Sequence, residues 1–229
     1  MLLPAGVGLA VAGAAIHGAF HRNSVVFGPV LAHLPTAEKD VALTFDDGPN
    51  PDATPPILDA LADLDVKATF FVLGRYAERW PDLVRRIESE GHQLGNHGYF
   101  HRKLQFRSPA YVRQDLKLGK RAIERAGTKP PRFFRAPHGF RSPWVTAIAS
   151  SLGERTVGWS LGVWDSDKPG VGEIVKRTVE GVKPGSIVLL HDGDGYDAGG
   201  DRMQTARAVP EIIERLRDRG YRLTTLPPH

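Results

Sequence analysis

The sequence contains no cysteine and only two methionines among its 229 residues. The absence of cysteine excludes disulfide scaffolds, cysteine-ligated zinc, iron–sulfur clusters and thiol nucleophiles. Neither sign of charge dominates, since 30 Lys and Arg are balanced by 26 Asp and Glu. A net charge of +4 is too small to identify an anionic partner, and no basic-aromatic motif indicates nucleic-acid binding. The composition otherwise fits a globular domain and excludes a disordered chain, a collagen-like repeat and a polytopic membrane protein.

The N-terminal stretch lacks charged side chains, because no Lys, Arg, Asp or Glu occurs from Leu2 to Phe20. The run is short for a membrane span, which needs roughly 20 apolar residues, and it lacks the basic start of a signal peptide. For residues 1–20 we nevertheless favour a membrane anchor or export signal over an apolar segment packed on the domain. We expect residues 21–40 to form a lead-in or linker, and residues 41–229 to form the main domain.

The rest of the chain alternates between apolar runs of strand length and helical patterns. Strands are predicted at Val41–Phe45, Ala68–Leu73, Gln93–Gly95, Arg132–Arg135, Arg155–Ser160, Ser186–His191 and Tyr221–Leu226. Helices are predicted at Thr54–Leu64, Arg75–Glu90, Ser108–Ala126, Ser142–Leu152, Gly172–Val182 and Gln204–Arg219. Thr54, Ser108 and Ser142 are the predicted N-caps of their helices. The last helix is expected to bend at Pro210 or to begin there. Such alternation predicts an α/β fold with a parallel sheet, either open and doubly wound or closed into a barrel.

Polar residues cluster just after several of the predicted strands. They are Asp46 and Asp47, His97 and His101, Arg135, Asp165, and His191. Functional side chains drawn from the carboxyl ends of many strands are typical of a barrel. The sequence therefore favours a barrel over an open sheet, with the site at the carboxyl ends of its strands.

Two histidines and a pair of carboxylates are candidates for a metal site. His97 and His101 are four residues apart, a spacing that would place both imidazoles on one face of a helical turn. Such a pair is more often incidental, and Asp46-Asp47 before Gly-Pro is more often a capped turn. Two His and one carboxylate, however, are a common set for a divalent ion with open positions. Because Asp47 ends a strand of the same sheet, we favour the metal site.

Arg135 and His191 are candidates for roles beside that metal set. Arg135 in the sequence RAPHG would orient Asp46 and keep it ionised through a bidentate ion pair, unless it is a surface arginine in a proline-rich turn. His191 ends a very apolar strand, so it is either a core histidine or a general acid or base. Asp192 beside it, or Asp165 across the barrel, would tune its pKa.

The tryptophans are more ambiguous. For Trp144, Trp159 and Trp164 we favour a place in the core. Trp164 lies in a loop rich in Gly and Asp, so it is also a candidate platform on which a sugar ring stacks.

Taken together, these motifs resemble those of the polysaccharide deacetylase family, carbohydrate esterase family four. TFDDGP at Thr44–Pro49 looks like its first motif, HGYFH at His97–His101 like the second, RAPHG at Arg135–Gly139 like the third, and LLHD at Leu189–Asp192 like the fifth. The resemblance covers nearly the whole predicted domain. It implies a distorted (β/α) barrel with about seven parallel strands. It also implies a metal-dependent amidase that releases acetate from an amino sugar of a glycan such as peptidoglycan or a chitin-like oligomer.

The resemblance also implies a role for each matching residue. Asp47, His97 and His101 would bind one divalent ion, Asp46 would be the general base held by Arg135, His191 would be the general acid, Asp165 would support that network, His138 would offer its backbone N–H to the oxyanion, and Leu189 would line the acyl-methyl pocket. The ion expected is Zn²⁺, with Co²⁺, Ni²⁺ or other divalent ions as alternatives.

Three positions depart from the family pattern. Gly98 stands where Ser or Thr is usual, which removes a hydrogen bond expected to brace the metal loop. His138 stands where an aromatic residue is usual, and Ser166 where a Trp is expected, with Trp164 as a substitute from the other side. We expect these changes to alter polymer specificity and to leave the chemistry in place.

Two other functions stay open. One is hydrolysis of another N-acyl compound, by deacylation or deformylation, with a lipid-linked amino sugar as the example. The other is a catalytically silent glycan-binding module, which the retained Asp46, Arg135 and His191 disfavour. We expect a monomer with a glycan substrate and no nucleic-acid partner. We also expect it outside the cytoplasm, anchored or secreted, although Arg22 after the apolar segment favours the opposite orientation.

Overall fold

The computed structural model describes residues 5–227. Its strands are β1 Asp40–Asp46, β2 Thr69–Val72, β3 Gln93–Asn96, β4 Phe133–Phe134, β5 Arg155–Thr156, β6 Leu161–Gly162, β7 Ser186–His191 and β8 Arg222–Thr224. Its helices are α1 Ala5–Phe20, α2 Thr54–Asp63, α3 Gly74–Arg79, α4 Pro81–Ser89, α5 Pro109–Ala126, α6 Val145–Ser151, α7 Val171–Gly181 and α8 Met203–Asp218. Short 3-10 turns lie at Leu104–Phe106, Pro137–Gly139 and Asp165–Asp167.

The strands form one parallel sheet. Seven of them follow the order β5-β4-β3-β2-β1-β7-β6, and β8 pairs with the beginning of β1. The sheet curls into a distorted (β/α) barrel, so the predicted fold class is confirmed. In a parallel sheet all carboxyl ends lie at the same edge, which brings the residues after each strand together.

Successive side chains of the central strands β1 and β7 point to opposite faces of the sheet, one toward the hydrophobic core and one toward the site. On β1, Leu43 and Phe45 belong to the main hydrophobic core beneath the helices, together with Val188 and Leu190 of β7. The residues between them point the other way, into the barrel. Asp46 of β1 and His191 of β7 are register partners at the carboxyl ends of these strands. Strand periodicity thus directs both residues to the barrel interior.

The lead-in between α1 and β1 is packed on the domain. Leu31 and Leu34 are buried, Leu31 bridges to Val157 beyond β5, and His33 bridges to Ser186 at the start of β7. Residues 31–34 of this segment therefore pack against the sheet.

Helix α1 covers most of the segment for which an anchor or export signal is predicted. Its side chains from Val11 to His17 are exposed, and it contains no charged residue. Within residues 5–227, no helix combines the length and the apolar character that crossing a bilayer needs. Residues 1–4 lie outside the described part of the chain, and the anchor stays a prediction.

Several element boundaries differ from the predicted ones. The helix predicted at Arg75–Glu90 is split into α3 and α4, because Pro81 disfavours a helical conformation at Trp80. Neither Thr54 nor Ser142 caps its helix, whereas the Oγ of Ser108 accepts a hydrogen bond from the Tyr111 amide as expected.

Two further boundaries differ near the end of the chain. The strand predicted at Arg155–Ser160 contains only β5, and the short β6 was not predicted. Helix α8 begins at Met203 and continues through Pro210.

Candidate active site

The predicted site residues converge on one cavity at the carboxyl edge of the sheet. The cavity has a volume of about 490 Å³. Among the residues that line it are Asp46, Asp47, His97, His101, His138, Trp164, Leu189 and His191. Arg135 and Asp165 lie directly behind this lining, in contact with Asp46 and His191. The structure therefore brings all ten predicted residues into one region.

Asp47, His97 and His101 form the innermost cluster. The Oδ1 atom of Asp47 lies 3.0 Å from Nε2 of His101 and 3.4 Å from Nε2 of His97. All three side chains are buried, and the three donor atoms lie within 4.8 Å of one another. The buried Oδ1 nevertheless has no hydrogen-bond partner within the described residues. An unpartnered carboxylate oxygen facing two imidazole nitrogens fits a divalent cation.

Electrostatics keep the Asp47 carboxylate ionised. Burial alone would raise the pKa of Asp47, but the two imidazoles, His101 above all, lower it well below its usual value. The pKa of His97 is raised: burial lowers it, and the Asp46 and Asp47 carboxylates more than compensate. The buried Asp47 carboxylate is thus held in its ionised form.

The backbone brings these groups together by left-handed residues and not by a helical turn. Asp47 follows β1 with φ 71°, so its side chain turns toward the same cavity as that of Asp46. Gly98 and His101 have φ 78° and 54°. The segment from His97 to His101 is therefore not a helical turn, because a helix needs negative φ at each residue.

A carboxylate that was not among the predicted site residues holds the loop between His97 and His101, called the metal loop below. Asp115 of α5 accepts hydrogen bonds from the backbone N–H groups of Tyr99 and Phe100, at 3.3 and 3.1 Å. Asn96 Oδ1 accepts a further bond from the Gly98 N–H at 2.9 Å. A Cβ atom on Gly98 would lie 2.5 Å from Oδ2 of Asp115. Gly98 cannot offer the side-chain hydrogen bond expected from Ser or Thr. Its missing side chain instead leaves room for the Asp115 carboxylate, which holds the same loop.

The two metal-site imidazoles are held differently. Nδ1 of His97 donates a hydrogen bond to the backbone carbonyl of Arg135 at 2.9 Å, which directs its Nε2 toward Asp47. Nδ1 of His101 is buried without a hydrogen-bond partner in the described chain. Its ring is confined by packing against His138 and Tyr196, with ring centroids 4.7 and 5.2 Å away.

Arg135 fixes Asp46. Its Nη1 donates to Oδ1 of Asp46 at 2.7 Å and to Oγ1 of Thr44 at 2.8 Å, while Nη2 donates to the Gly158 carbonyl at 2.9 Å. The predicted bidentate pair is wrong, since only one nitrogen reaches the carboxylate. Oδ2 of Asp46 stays on the cavity side, 3.7 Å from Nε2 of His97.

Asp165, and not Asp192, controls His191. Oδ1 of Asp165 lies 2.9 Å from Nδ1 of His191, and Oδ2 accepts the His191 backbone N–H and the Thr205 hydroxyl, both at 2.8 Å. Burial would lower the pKa of His191, but the Asp165 carboxylate raises it to about 9. Asp192 turns away and accepts a hydrogen bond from Thr54 at 2.6 Å. His191 is therefore protonated at neutral pH.

The outer wall of the cavity is aromatic. Trp164, in a left-handed conformation, is 67% exposed and lines the cavity, so its predicted place in the core is wrong. Trp144 and Trp159 do pack against hydrophobic clusters. Tyr196, which is 64% exposed, is hydrogen-bonded through its hydroxyl to Nε2 of His138 at 2.8 Å. Burial, followed by the charges of the metal-site histidines, lowers the pKa of His138 to about 4.

Sequence reasoning missed part of this wall. Tyr196 carried a weak signal, since it lies in a Gly- and Asp-rich loop just after the fifth motif. Phe20, His21 and Arg22 also line the cavity, although they precede the first motif by many residues. Nε of Arg22 donates to the Trp159 carbonyl at 3.2 Å, which holds this segment against the barrel. No local pattern in the sequence indicated that contact.

The chain is similar in sequence to known polysaccharide deacetylases. Residues 33–157 match the family model for polysaccharide deacetylases. The chain is 41% identical over 198 residues to a chitooligosaccharide deacetylase of Bradyrhizobium sp. (strain ANU 289), an alignment that covers 82% of this chain and 90% of the relative. It is 40% identical over 204 residues to a peptidoglycan-N-acetylglucosamine deacetylase of Bacillus cereus, with 87% and 92% covered.

Solved structures give the same result. A peptidoglycan N-acetylglucosamine deacetylase superposes with a TM-score of 0.81 and 34% identity, over 86% of this chain and 91% of that one. A wild-type family pseudoenzyme from Bacillus anthracis superposes with a TM-score of 0.77 and 28% identity, over 85% and 66%. Similarity of fold therefore extends to active and inactive proteins, and the side chains of the cavity must separate the two cases.

Proposed function

Because the chain belongs to the polysaccharide deacetylase family, and is on that ground an amino-sugar N-deacetylase, we propose that it hydrolyses N-acetylglucosamine units of an envelope glycan with one divalent ion. The observation that carries the proposal is the convergence of Asp46, Asp47, His97, His101 and His191 on one cavity. A silent binding module would need neither a fixed base nor a protonated acid.

The metal site fits this proposal. Two imidazole nitrogens and one carboxylate oxygen form a common set for Zn²⁺ that leaves positions open, and Co²⁺ and Ni²⁺ accept the same donors. When bound, such an ion supplies positive charge that acidifies a water molecule and polarises the acyl oxygen. His97 and His101 would offer Nε2 to it, and Asp47 would offer Oδ1.

Asp46 is the general base of the proposal. Its Oδ2 faces the cavity, while its Oδ1 is held by Arg135, so the carboxylate has one oxygen fixed and one available. It would take a proton from water as the water oxygen bonds to the acetyl carbon. The proposal assigns the backbone N–H of His138 to the oxyanion that develops on the acyl group. Leu189, buried on β7 and lining the cavity, would contact the acetyl methyl group.

His191 completes the reaction as general acid. Asp165 keeps its imidazole protonated at neutral pH and orients the ring through Nδ1, which leaves Nε2 to act. As the C–N bond breaks, His191 would donate a proton to the departing nitrogen. The products are acetate and the free amine of the sugar, so a strongly basic amide anion is never expelled.

The outer wall supports a glycan as substrate. Trp164 and Tyr196 present exposed aromatic faces beside the metal set, and such faces cover the apolar side of a sugar ring. An envelope glycan places the domain outside the cytoplasm, and residues 1–20 would tether it there. The proposal keeps the monomer expected from the sequence.

Acetate release tests the function directly. The purified chain would be loaded with Zn²⁺ and incubated with N-acetylglucosamine oligomers and with peptidoglycan, with and without a chelator. Acetate would be measured enzymatically, and bound metal would be measured by mass spectrometry of the same sample. We expect chelator-sensitive acetate from at least one of the two substrates.

The other outcomes separate the alternatives. Bound metal without acetate would reject the glycan substrate and favour another N-acyl compound, with a lipid-linked amino sugar tried first. Neither metal nor acetate would reject the enzyme and favour a glycan-binding module.

A further inference from the structure

We propose that the end of α1 and the 3-10 turn Leu104–Phe106 form one surface that docks on an anionic lipid bilayer beside the cavity. This surface, defined by Phe20, Phe106, Arg102, Lys103 and Arg107, is called the docking surface below. Its docking is independent of catalysis.

Apolar side chains form the centre of the docking surface. Phe106 is 79% exposed, although its turn is fixed to the domain by the fully buried Leu104. Phe20 at the end of α1 is 45% exposed and contacts Phe106 edge to face, with ring centroids 6.0 Å apart. Val11 and Ile16, on the same helix as Phe20, are also exposed apolar side chains. Contiguous exposed apolar surface of this kind marks a contact with a partner or a membrane.

The end of α1 is held firmly, so its placement is defined. The backbone N–H of Arg141 donates to the Ala19 carbonyl at 3.1 Å, and its buried guanidinium donates to the Ser24 carbonyl at 2.6 Å. Phe20 also packs on Phe140 at 5.5 Å. These contacts hold the C-terminal end of α1, and with it Phe20, in a fixed position on the domain.

Charge selects a bilayer as the occupant. Arg102, Lys103 and Arg107 are exposed and lie within four residues of Phe106 in the sequence, which has no acidic residue between His97 and Gln114. The sequence is also free of acidic residues before Glu38. Aromatic side chains that enter the headgroup region and cations that face anionic lipids are the usual elements of an interfacial contact.

A second copy of the chain fits this surface less well. In a symmetric dimer the same patch meets itself, so the cations of one copy would face those of the other. An anionic bilayer places opposite charge against them. The docking surface therefore fits lipid better than it fits self-association.

The docking surface is continuous with the cavity. Phe20 belongs to both, and His21 and Arg22 directly after it line the cavity. A docked chain would thus hold its cavity at the membrane, where it meets amino sugars close to the lipid. This consequence for the substrate rests on the proposed function, whereas the docking itself does not.

Vesicle binding by the full chain tests the proposal without any measurement of activity. Partitioning would be measured by co-sedimentation with vesicles of phosphatidylcholine alone and with equimolar phosphatidylcholine and phosphatidylglycerol. The variant R102Q/K103Q/R107Q removes the cations. The matched control K176Q/K183Q/R207Q removes three exposed cations on or just after α7 and α8. Thermal melts would verify that both variants fold.

We expect the wild-type chain to prefer the anionic vesicles, and salt to weaken that preference. Each cation at an anionic surface contributes roughly fivefold to partitioning, so the triple variant should lose about 100-fold of the preference at low salt. The control should keep it. Phe106→Ser should weaken binding to both vesicle types, because it removes the apolar contact.

Three results would overturn the proposal. The first is a wild-type chain that binds neither vesicle type. The second is equal binding to both types that R102Q/K103Q/R107Q does not change, which would mean that α1 acts alone. The third is a stable dimer in light scattering that Phe106→Ser dissociates, which would identify a second copy as the occupant.

Discussion

The buried side of the cavity and its open side are built on different principles. On the buried side, Asp46 and Asp47 are fixed by ion pairs and neighbouring imidazoles at the end of a strand that is buried along its whole length. On the open side, Trp164 and Tyr196 are largely exposed and depend on loops. The difference teaches that the groups proposed for the chemistry are fixed by ion pairs and hydrogen bonds, whereas the aromatic side chains of the outer wall stay open to solvent. Substitutions on the buried side should therefore reduce activity most, and substitutions on the open side should reduce it least.

The largest effect is expected from Asp46→Asn. The substitution keeps the shape and the acceptor for Arg135 but removes the proton acceptor, so kcat should fall by about 10²- to 10⁴-fold. Bound metal, measured by mass spectrometry, should be unchanged because Asp46 is not among the three metal-site groups. Full activity would show that the base is assigned wrongly.

The brace of the metal loop should give the next largest effect. Asp115→Ala removes the acceptor of two backbone N–H groups, and metal affinity should fall by about 10- to 100-fold, as for other groups that orient ligands. Asp115→Asn keeps one carbonyl oxygen and should lose less. Gln114→Ala, an exposed neighbour on α5, is the matched control. Equal affinities in all four proteins, measured by competition with a chelating dye, would refute the brace.

His191 lies between the two sides, and its effect should depend on pH. Its pKa is raised to about 9, so the acid form is present below that pH and activity should fall as pH rises through about 9. Asp165→Asn removes the charge that raises the pKa, so the alkaline limb of kcat should move to lower pH. The activity lost near pH 8 should exceed that lost near pH 6. An alkaline limb that stays in place would exclude His191 as the acid.

The smallest effects are expected on the open side. Trp164→Ala should raise KM for a chitin-like oligomer by roughly three- to tenfold, the value of an aromatic contact of about 1 kcal/mol, with kcat nearly constant. Tyr196→Phe keeps the ring but removes the hydrogen bond to His138, and should change KM less. A fall in kcat as large as that for Asp46→Asn would remove the distinction between the two sides.

The part of the site that follows strands could be predicted from sequence. Asp46 and His191 each end an apolar run, and strand alternation together with a parallel sheet is enough to bring them to one edge. The family resemblance then supplied their separate roles. The fold class followed from the same alternation of strands and helices.

The part that depends on loop conformation could not be predicted. The left-handed backbone at Asp47, Gly98 and His101 follows no periodic pattern that the sequence could show. Asp115 reads as an ordinary residue of an amphipathic helix, and its role appears only when α5 is packed beside the loop. Likewise, the contact of Arg22 with Trp159 joins distant parts of the chain.

The pairing of β8 with β1 has a consequence for how the protein is made. Strand β1 carries Asp46, the proposed general base, yet its neighbours β7 and β8 lie much later in the chain and leave the ribosome long after it. A nascent chain must therefore hold β1 without two of its partners until β7 and β8 have been synthesised. Contacts so distant in sequence form late, so we expect the site to assemble in one final step with no active partial domain. A chain exported before that step would cross the membrane unfolded and become active only on the far side.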